Sequence, residues 1–172
     1  MNRRKRYTLV LPFTAVLVLL FDQISKYLVA ARLPVGQSIE IAPWLAPVVR
    51  MTHVTNTGAA FGLFRGGGNF FIAITVIVIV AIIFYYRQIP AGQFLMRLAL
   101  GLQLGGAIGN LVDRLRQGFV VDFIDLNFWP LQNWAVFNLA DSSLVTGVIL
   151  LALLMFGEGW REWENQQVAG DG

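Results

Sequence analysis

The chain has 172 residues, of which 56% are hydrophobic and only 13% charged; it has no cysteine, one histidine and a formal net charge of +3. A soluble domain of ordinary composition is ~25% charged, and one of this length has no interior large enough to hide so much apolar surface. With a mean hydropathy of +0.63, the chain reads as an integral membrane protein. Disorder, a disulfide scaffold, thiol catalysis and cysteine-ligated metal or iron–sulfur centres are excluded, and the lone His53 leaves little scope for a histidine metal site.

Four apolar segments follow in order, at residues 7–30, 70–86, 94–115 and 137–156. A helix needs about 20 mostly apolar residues to cross the hydrocarbon core, so each is expected to span the membrane within a single domain, 1–172. The first span carries Asp22 and Lys26. The second has no charge. The third carries Arg97, Gln103 and Asn110 and ends on Asp113 and Arg114, and the fourth is interrupted by Asp141. The basic start, Arg3-Arg4-Lys5-Arg6, imitates a secretory signal. Asp22 and Lys26, however, fall where the stretch before a cleavage point is neutral, and three further spans follow, so a retained first helix is expected. The concentration of Lys and Arg at the N-terminus places both termini in the cytoplasm.

Segments 32–69 and 117–136 then lie outside. In the first, residues 37–41 and 48–54 are β-branched and partly alternating, which predicts short strands; Pro34, Pro43, Pro47 and Gly66-Gly67-Gly68 punctuate them. The second contains a strand-like Phe119-Val120-Val121-Asp122-Phe123-Ile124 run. The expected fold class is an all-α membrane protein: four transmembrane helices with a small β-containing outer (periplasmic) loop region. Trp44, Phe61 and Phe64 make the first outer segment a candidate lid or interfacial anchor.

Ionisable groups in or beside a span cost several kcal/mol and are functional candidates by default. Asp22 and Lys26 are four apart and share a helical face, so they can pair. Asn110 shares a face with Asp113 and Arg114 at the end of the third span, where both of the latter are expected to hold that helix against its neighbours. Gly105, Gly106 and Gly109 on the same helix permit close approach of another helix, or of substrate. Asn56 reads either as a loop turn or as a polar contributor. Asn138 precedes Asp141 by three, either capping the fourth helix or orienting that acid. Ser142 and Ser143, with Lys26 as base, make a weaker nucleophile reading, because hydroxyls in membrane helices usually bond backbone carbonyls.

Asp122, Asp125 and Asp141 all fall at the outer membrane face. Two close, buried carboxylates cannot easily both ionise and tend to share a proton. That arrangement suits aspartic-protease chemistry, with one Asp as base on water and the other protonated against a carbonyl. It suits a proton- or cation-coupled transporter equally well. A structural role is the third reading.

Five stretches together resemble a known family. Asp22-Gln23-Ile24-Ser25-Lys26, Asn56-Thr57-Gly58-Ala59-Ala60-Phe61, the run from Gly105 through Asn110 to Asp113-Arg114, Val121-Asp122-Phe123 and Phe137-Asn138-Leu139-Ala140-Asp141-Ser142 are similar, in order, to the motifs of bacterial lipoprotein signal peptidases (signal peptidase II). The resemblance implies an enzyme of the bacterial cytoplasmic (inner) membrane. It would remove the signal peptide of prolipoproteins by cutting before a diacylglyceryl-modified cysteine. The implied catalytic pair is Asp122 and Asp141, which selects Asp122 over Asp125. The implied supporting or substrate-binding residues are Asp22, Lys26, Asn56, Asn110, Asp113, Arg114 and Asn138. No metal and no cofactor are implied; the partners are the modified prolipoproteins and membrane lipid, without nucleic acid.

Overall fold

The structure, a computed structural model, describes residues 7–58, 68–90 and 92–170. Four long helices dominate: α1 (Val10–Arg32), α2 (Gly68–Tyr86), α3 (Phe94–Gln117) and α4 (Leu139–Gly170). All four contain a stretch long and apolar enough to cross a membrane. Three short strands, β1 (Ser38–Ile39), β2 (Val49–Asn56) and β3 (Val120–Leu126), form one antiparallel sheet in the order β1-β2-β3. Four spans and a small sheet in the two connections at one end of the bundle agree with the class expected from sequence.

The details differ in instructive ways. The fourth helix begins at Leu139 rather than 137, because Asn138 caps it. It also continues to Gly170, far past the expected end at 156. The strand expected at 37–41 contracts to the two residues Ser38 and Ile39. Trp44 is exposed, whereas Phe61 and Phe64 lie outside the described residues.

α3 is the centre of the bundle, packed on α1, α2 and α4. More than half of its apolar window (56%) is buried inside the protein, against 6% for α2. The reason is composition. α2 is apolar all round, so hydrocarbon can solvate whatever face α3 and the cavity leave uncovered, and Ile82 is its only buried residue. α3 carries Arg97, Asn110 and Asp113, all buried, which must face protein. Glycines let the neighbours come close enough to do this. A Cβ on Gly105 would stand 2.7 Å from the Ala15 carbonyl oxygen of α1, and one on Gly109 would stand 2.5 Å from the Asp22 carboxylate. One on Gly106 would collide with the Ala140 carbonyl of α4. These three glycines are occupied by α1 and α4, so they admit helices of the protein itself rather than substrate.

At the opposite end of α3, Arg97 is buried with no carboxylate partner among the described residues. Its guanidinium donates to the Ile89 carbonyl at 3.0 Å and lies 5.0 Å from the centre of the Tyr86 ring. It closes the α2–α3 connection. Gly118 ends α3 in the left-handed region (φ 80°) and turns the chain into β3.

The glycine contacts predict that Gly106→Ala destabilises the detergent-solubilised protein by about 1–3 kcal/mol, as overpacking does. Gly157→Ala, where an added Cβ meets nothing, leaves the thermal midpoint unchanged or slightly raised. Thermal unfolding of both variants measures the contrast.

Candidate active site

The site is built around Lys26. Its Nζ lies 2.8 Å from Asp22 Oδ2, one turn back on α1, and 3.0 Å from Asp113 Oδ2 on α3. It also donates to Asn110 Oδ1 at 2.9 Å. Asp22 and Lys26 are fully buried, at 0% and 3% exposure. Asp22 Oδ1 accepts from the Ala140 backbone N–H at 2.9 Å, in the first turn of α4. One cluster thus ties α1 to both α3 and α4. Asp113 extends it to the sheet by accepting from Val121 N. Gln23 joins as a further member by donating to Asp113 Oδ1 at 3.0 Å; it stands in the first of the family-like motifs, but nothing in the sequence singled it out there.

A second layer of amides rests on this cluster and holds two carboxylates. Asn110 uses its oxygen on Lys26 and its Nδ2 on Asp141 Oδ1, at 2.7 Å. Asn138 donates to Asp122 Oδ1 at 2.6 Å and to Asn110 Oδ1 at 3.2 Å. Asn138 is also the cap of α4. Its Oδ1 accepts from Asp141 N at 2.8 Å, and its own N–H donates to Asp141 Oδ2 at 3.3 Å. This is a reciprocal capping arrangement, with an acid in the third helical position. The capping and orienting readings of Asn138 are therefore both met by one side chain. Asn56, at the end of β2, donates to Asp122 Oδ2 at 2.9 Å.

Asp122 and Asp141 face one cavity of about 720 Å³. Asn56, Asn110, Arg114 and Ser142 share its polar wall, and Phe71, Ile74, Val78 of α2 with Leu144 and Val145 of α4 form an apolar wall. All nine candidate residues from the sequence converge in one connected network.

The structure also places the remaining candidates. Arg114, expected with Asp113 to hold α3 against its neighbours, contacts Phe71 of α2 and also stands in the cavity wall. It makes long bonds of 3.4 Å to the Asn110 and Gly58 carbonyls and lies 5.4 Å from the Phe71 ring centre. Its buried Nε has no partner among the described residues. Asp125 lies away from the cavity, bound at 2.6 Å by both Arg50 Nε and Thr52 Oγ1. Ser142 and Ser143 spend their hydroxyls on the Asn138 and Ala140 carbonyls, and Lys26 is committed to its acids. The serine–lysine reading therefore has no geometric basis.

Asp122 sits in β3, 1% exposed. Burial, and then the negative charge of Asp141, push its carboxyl up from 3.8 to about 7, against the hydrogen bonds from Asn56 and Asn138 and the charge of Lys26.

Four candidate spans around a carboxylate-bearing cavity define a multi-pass membrane protein with a polar site set into its bundle. The family model for signal peptidase (SPase) II matches residues 14–157. The chain is 46% identical over 151 residues to the lipoprotein signal peptidase of Moorella thermoacetica, covering 86% of this chain and 95% of that one. It is 38% identical over 152 residues to the lipoprotein signal peptidase of Staphylococcus aureus, covering 88% and 91%. A bacterial membrane enzyme solved by the in meso method at 2.3 Å superposes with a TM-score of 0.78 at 36% identity, covering 86% of this chain and 87% of the other. A second, solved at 1.9 Å, gives 0.73 at 37% identity, covering 83% and 90%. The chain belongs to the signal peptidase II family of proteases.

The raised position of Asp122 has a sign. A carboxyl that holds its proton more tightly folded than unfolded stabilises the fold most fully below its unfolded value, and that contribution is lost as pH rises through the folded value. The thermal midpoint in detergent is expected to fall between about pH 4 and about pH 7.5. Asp122→Asn flattens that slope, as a pH series of melting curves on both proteins would register.

Proposed function

We propose that the protein removes the signal peptide of prolipoproteins as an aspartic endopeptidase, cutting before a diacylglyceryl-modified cysteine. The observation that carries this is the pair Asp122 and Asp141, on one cavity wall and joined through Asn138 and Asn110. The names of the relatives supply the substrate class.

The chemistry follows from two acids that share one proton. The ionised member takes a proton from water, and the water oxygen adds to the scissile carbonyl carbon. The protonated member donates to the carbonyl oxygen as it gains charge. On collapse the C–N bond breaks, the new amine takes the proton collected from water, and one hydroxyl of the former carbonyl carbon returns its proton to the second acid, which restores the pair. Asn56 and Asn138 orient Asp122, and Asn110 orients Asp141. Asp22, Lys26 and Asp113 hold the frame. Arg114 brings a cationic donor to the cavity wall, within electrostatic reach of both acids. The apolar wall between α2 and α4 suits a helical, hydrophobic signal peptide and acyl chains. The transporter alternative lacks a polar route, since residues 145–156 of α4 contain no charge.

Either Asp122→Asn or Asp141→Asn is expected to lower cleavage of a lipidated prolipoprotein by about 100-fold or more while the protein still folds. The double variant is no worse than either single, because members of one catalytic unit are non-additive. Asp125→Asn keeps most activity, since an amide oxygen still accepts from Arg50 and Thr52. A gel-shift cleavage assay beside thermal unfolding reads all four. Robust turnover by Asp141→Asn refutes the mechanism, and loss in Asp125→Asn equal to that in Asp122→Asn refutes the choice of residue.

The same reading sets both termini in the cytoplasm and the sheet, with its acids, at the outer face. The chain has no cysteine of its own, so an introduced one is a clean probe. A membrane-impermeant thiol reagent added to intact cells is expected to label Trp44→Cys and to spare Gly92→Cys; the reverse pattern overturns the orientation.

A further inference from the structure

Strand β2 serves two acids that belong to different environments. Arg50 lies opposite Asp125, and Asn56 lies opposite Val120 on the face that carries Asp122. Arg50 and Asn56 are six residues apart, an even number, so in a regular strand they face the same side. They face opposite sides here because the register shifts between Met51 and Val54. Met51 pairs with Ile124 and Val54 with Asp122, so Thr52 and His53 together oppose Phe123 alone. This is a β-bulge, a device that re-aims side chains beside active sites.

Three side-chain bonds hold the bulge, two from Thr52 and one from His53. Thr52 Oγ1 donates to Asp125 Oδ2 at 2.6 Å and meets Ser38 Oγ of β1 at 2.8 Å. His53, the only histidine in the chain, is 5% exposed and places Nδ1 2.6 Å from the carbonyl oxygen of Leu33. Leu33 is the residue that terminates α1. The bulge is thus pinned to the helix that carries Asp22 and Lys26. Were it to relax into a regular ladder, every residue beyond it would move by one register step, and Asn56 would turn to the Asp125 face.

We propose that the Thr52–His53 bulge, locked to the end of α1 by His53, is a positioning device that keeps the Asn56 amide on Asp122. The proposal rests on the assignment of Asp122 to the catalytic pair. His53 and Thr52 are positioning residues that act through Asn56; neither lines the cavity.

The test uses the full-length protein in detergent and a diacylglyceryl-modified prolipoprotein substrate. His53→Leu removes the donor to Leu33, and Thr52→Val removes the hydroxyl. Each is expected to lower kcat by roughly tenfold or more, the scale on which misplaced catalytic groups act, with little change in KM. His53→Asn, whose amide nitrogen reaches the place of Nδ1, and Thr52→Ser, which keeps the hydroxyl, restore most of the rate. In an Asn56→Ala background, His53→Leu and Thr52→Val have almost no further effect. Equal losses in the two backgrounds overturn the proposal, as does failure of both conservative variants to restore kcat. If His53→Leu or Thr52→Val does not fold, His53→Asn and Thr52→Ser, each with and without Asn56→Ala, decide the matter. Wild-type kcat in these two conservative variants supports the lock, whereas loss that persists without Asn56 overturns it. Failure of the underlying reading looks different: Asp122→Asn itself then retains turnover.

Discussion

Lys26 places one ammonium among two carboxylates and an amide oxygen at a point closed to water, and the bundle is arranged around that contact. An unpaired charge there costs several kcal/mol, and loss of one partner from a buried pair costs about 3–5 kcal/mol. Asp22 and Asp113 must therefore both reach the same ammonium, which brings α1 against α3. Asp22 has a second oxygen, and it accepts from the first turn of α4. The glycines of α3 are the steric counterpart of this electrostatic demand: at Gly109 the carboxylate of Asp22 occupies the place of a side chain.

From that cluster outward, polarity is passed on through neutral amides. Asn110 faces Lys26 with its oxygen and Asp141 with its nitrogen, so the cation is separated from the acid by one side chain. An amide between them orients the acid without making it the direct partner of the ammonium. Asp122 receives the same treatment from Asn56 and Asn138. Asp125, three residues along the same strand, receives a guanidinium and a hydroxyl instead. The two strand acids thus differ in partners more than in burial.

Much of this was legible in the sequence. Hydropathy located the spans, since length and composition suffice for that. The pairing of Asp22 with Lys26 followed from helical spacing. The convergence of all nine polar candidates followed from resemblance to a family, because no local rule joins Asn56 to Asp122 across 66 residues. For Arg114 the i,i+4 spacing gives the face it shares with Asn110, but a side chain as long as arginine also reaches past that face to the adjoining cavity, which spacing does not reveal. Asp122 and Asp125 are three apart in one strand, so alternation puts them on opposite faces, but it does not say which face meets the cavity. The helical tail beyond 156 was missed because its polar composition gives no span signal.

Asn138 carries a consequence for how this protein can change. The same amide starts α4, braces Asp122 and touches Asn110, so no substitution there can exchange rate for robustness as enzymes often permit. Ser or Asp would still cap the helix but would lose the amide N–H that holds Asp122, and an apolar residue would lose both. Adaptation to heat or to a different bilayer must therefore come from elsewhere. The lipid-facing surface of α2, where almost every side chain is answerable only to hydrocarbon, offers the widest freedom. Divergence is expected to gather on that outer skin while the amide-and-acid interior stays unaltered.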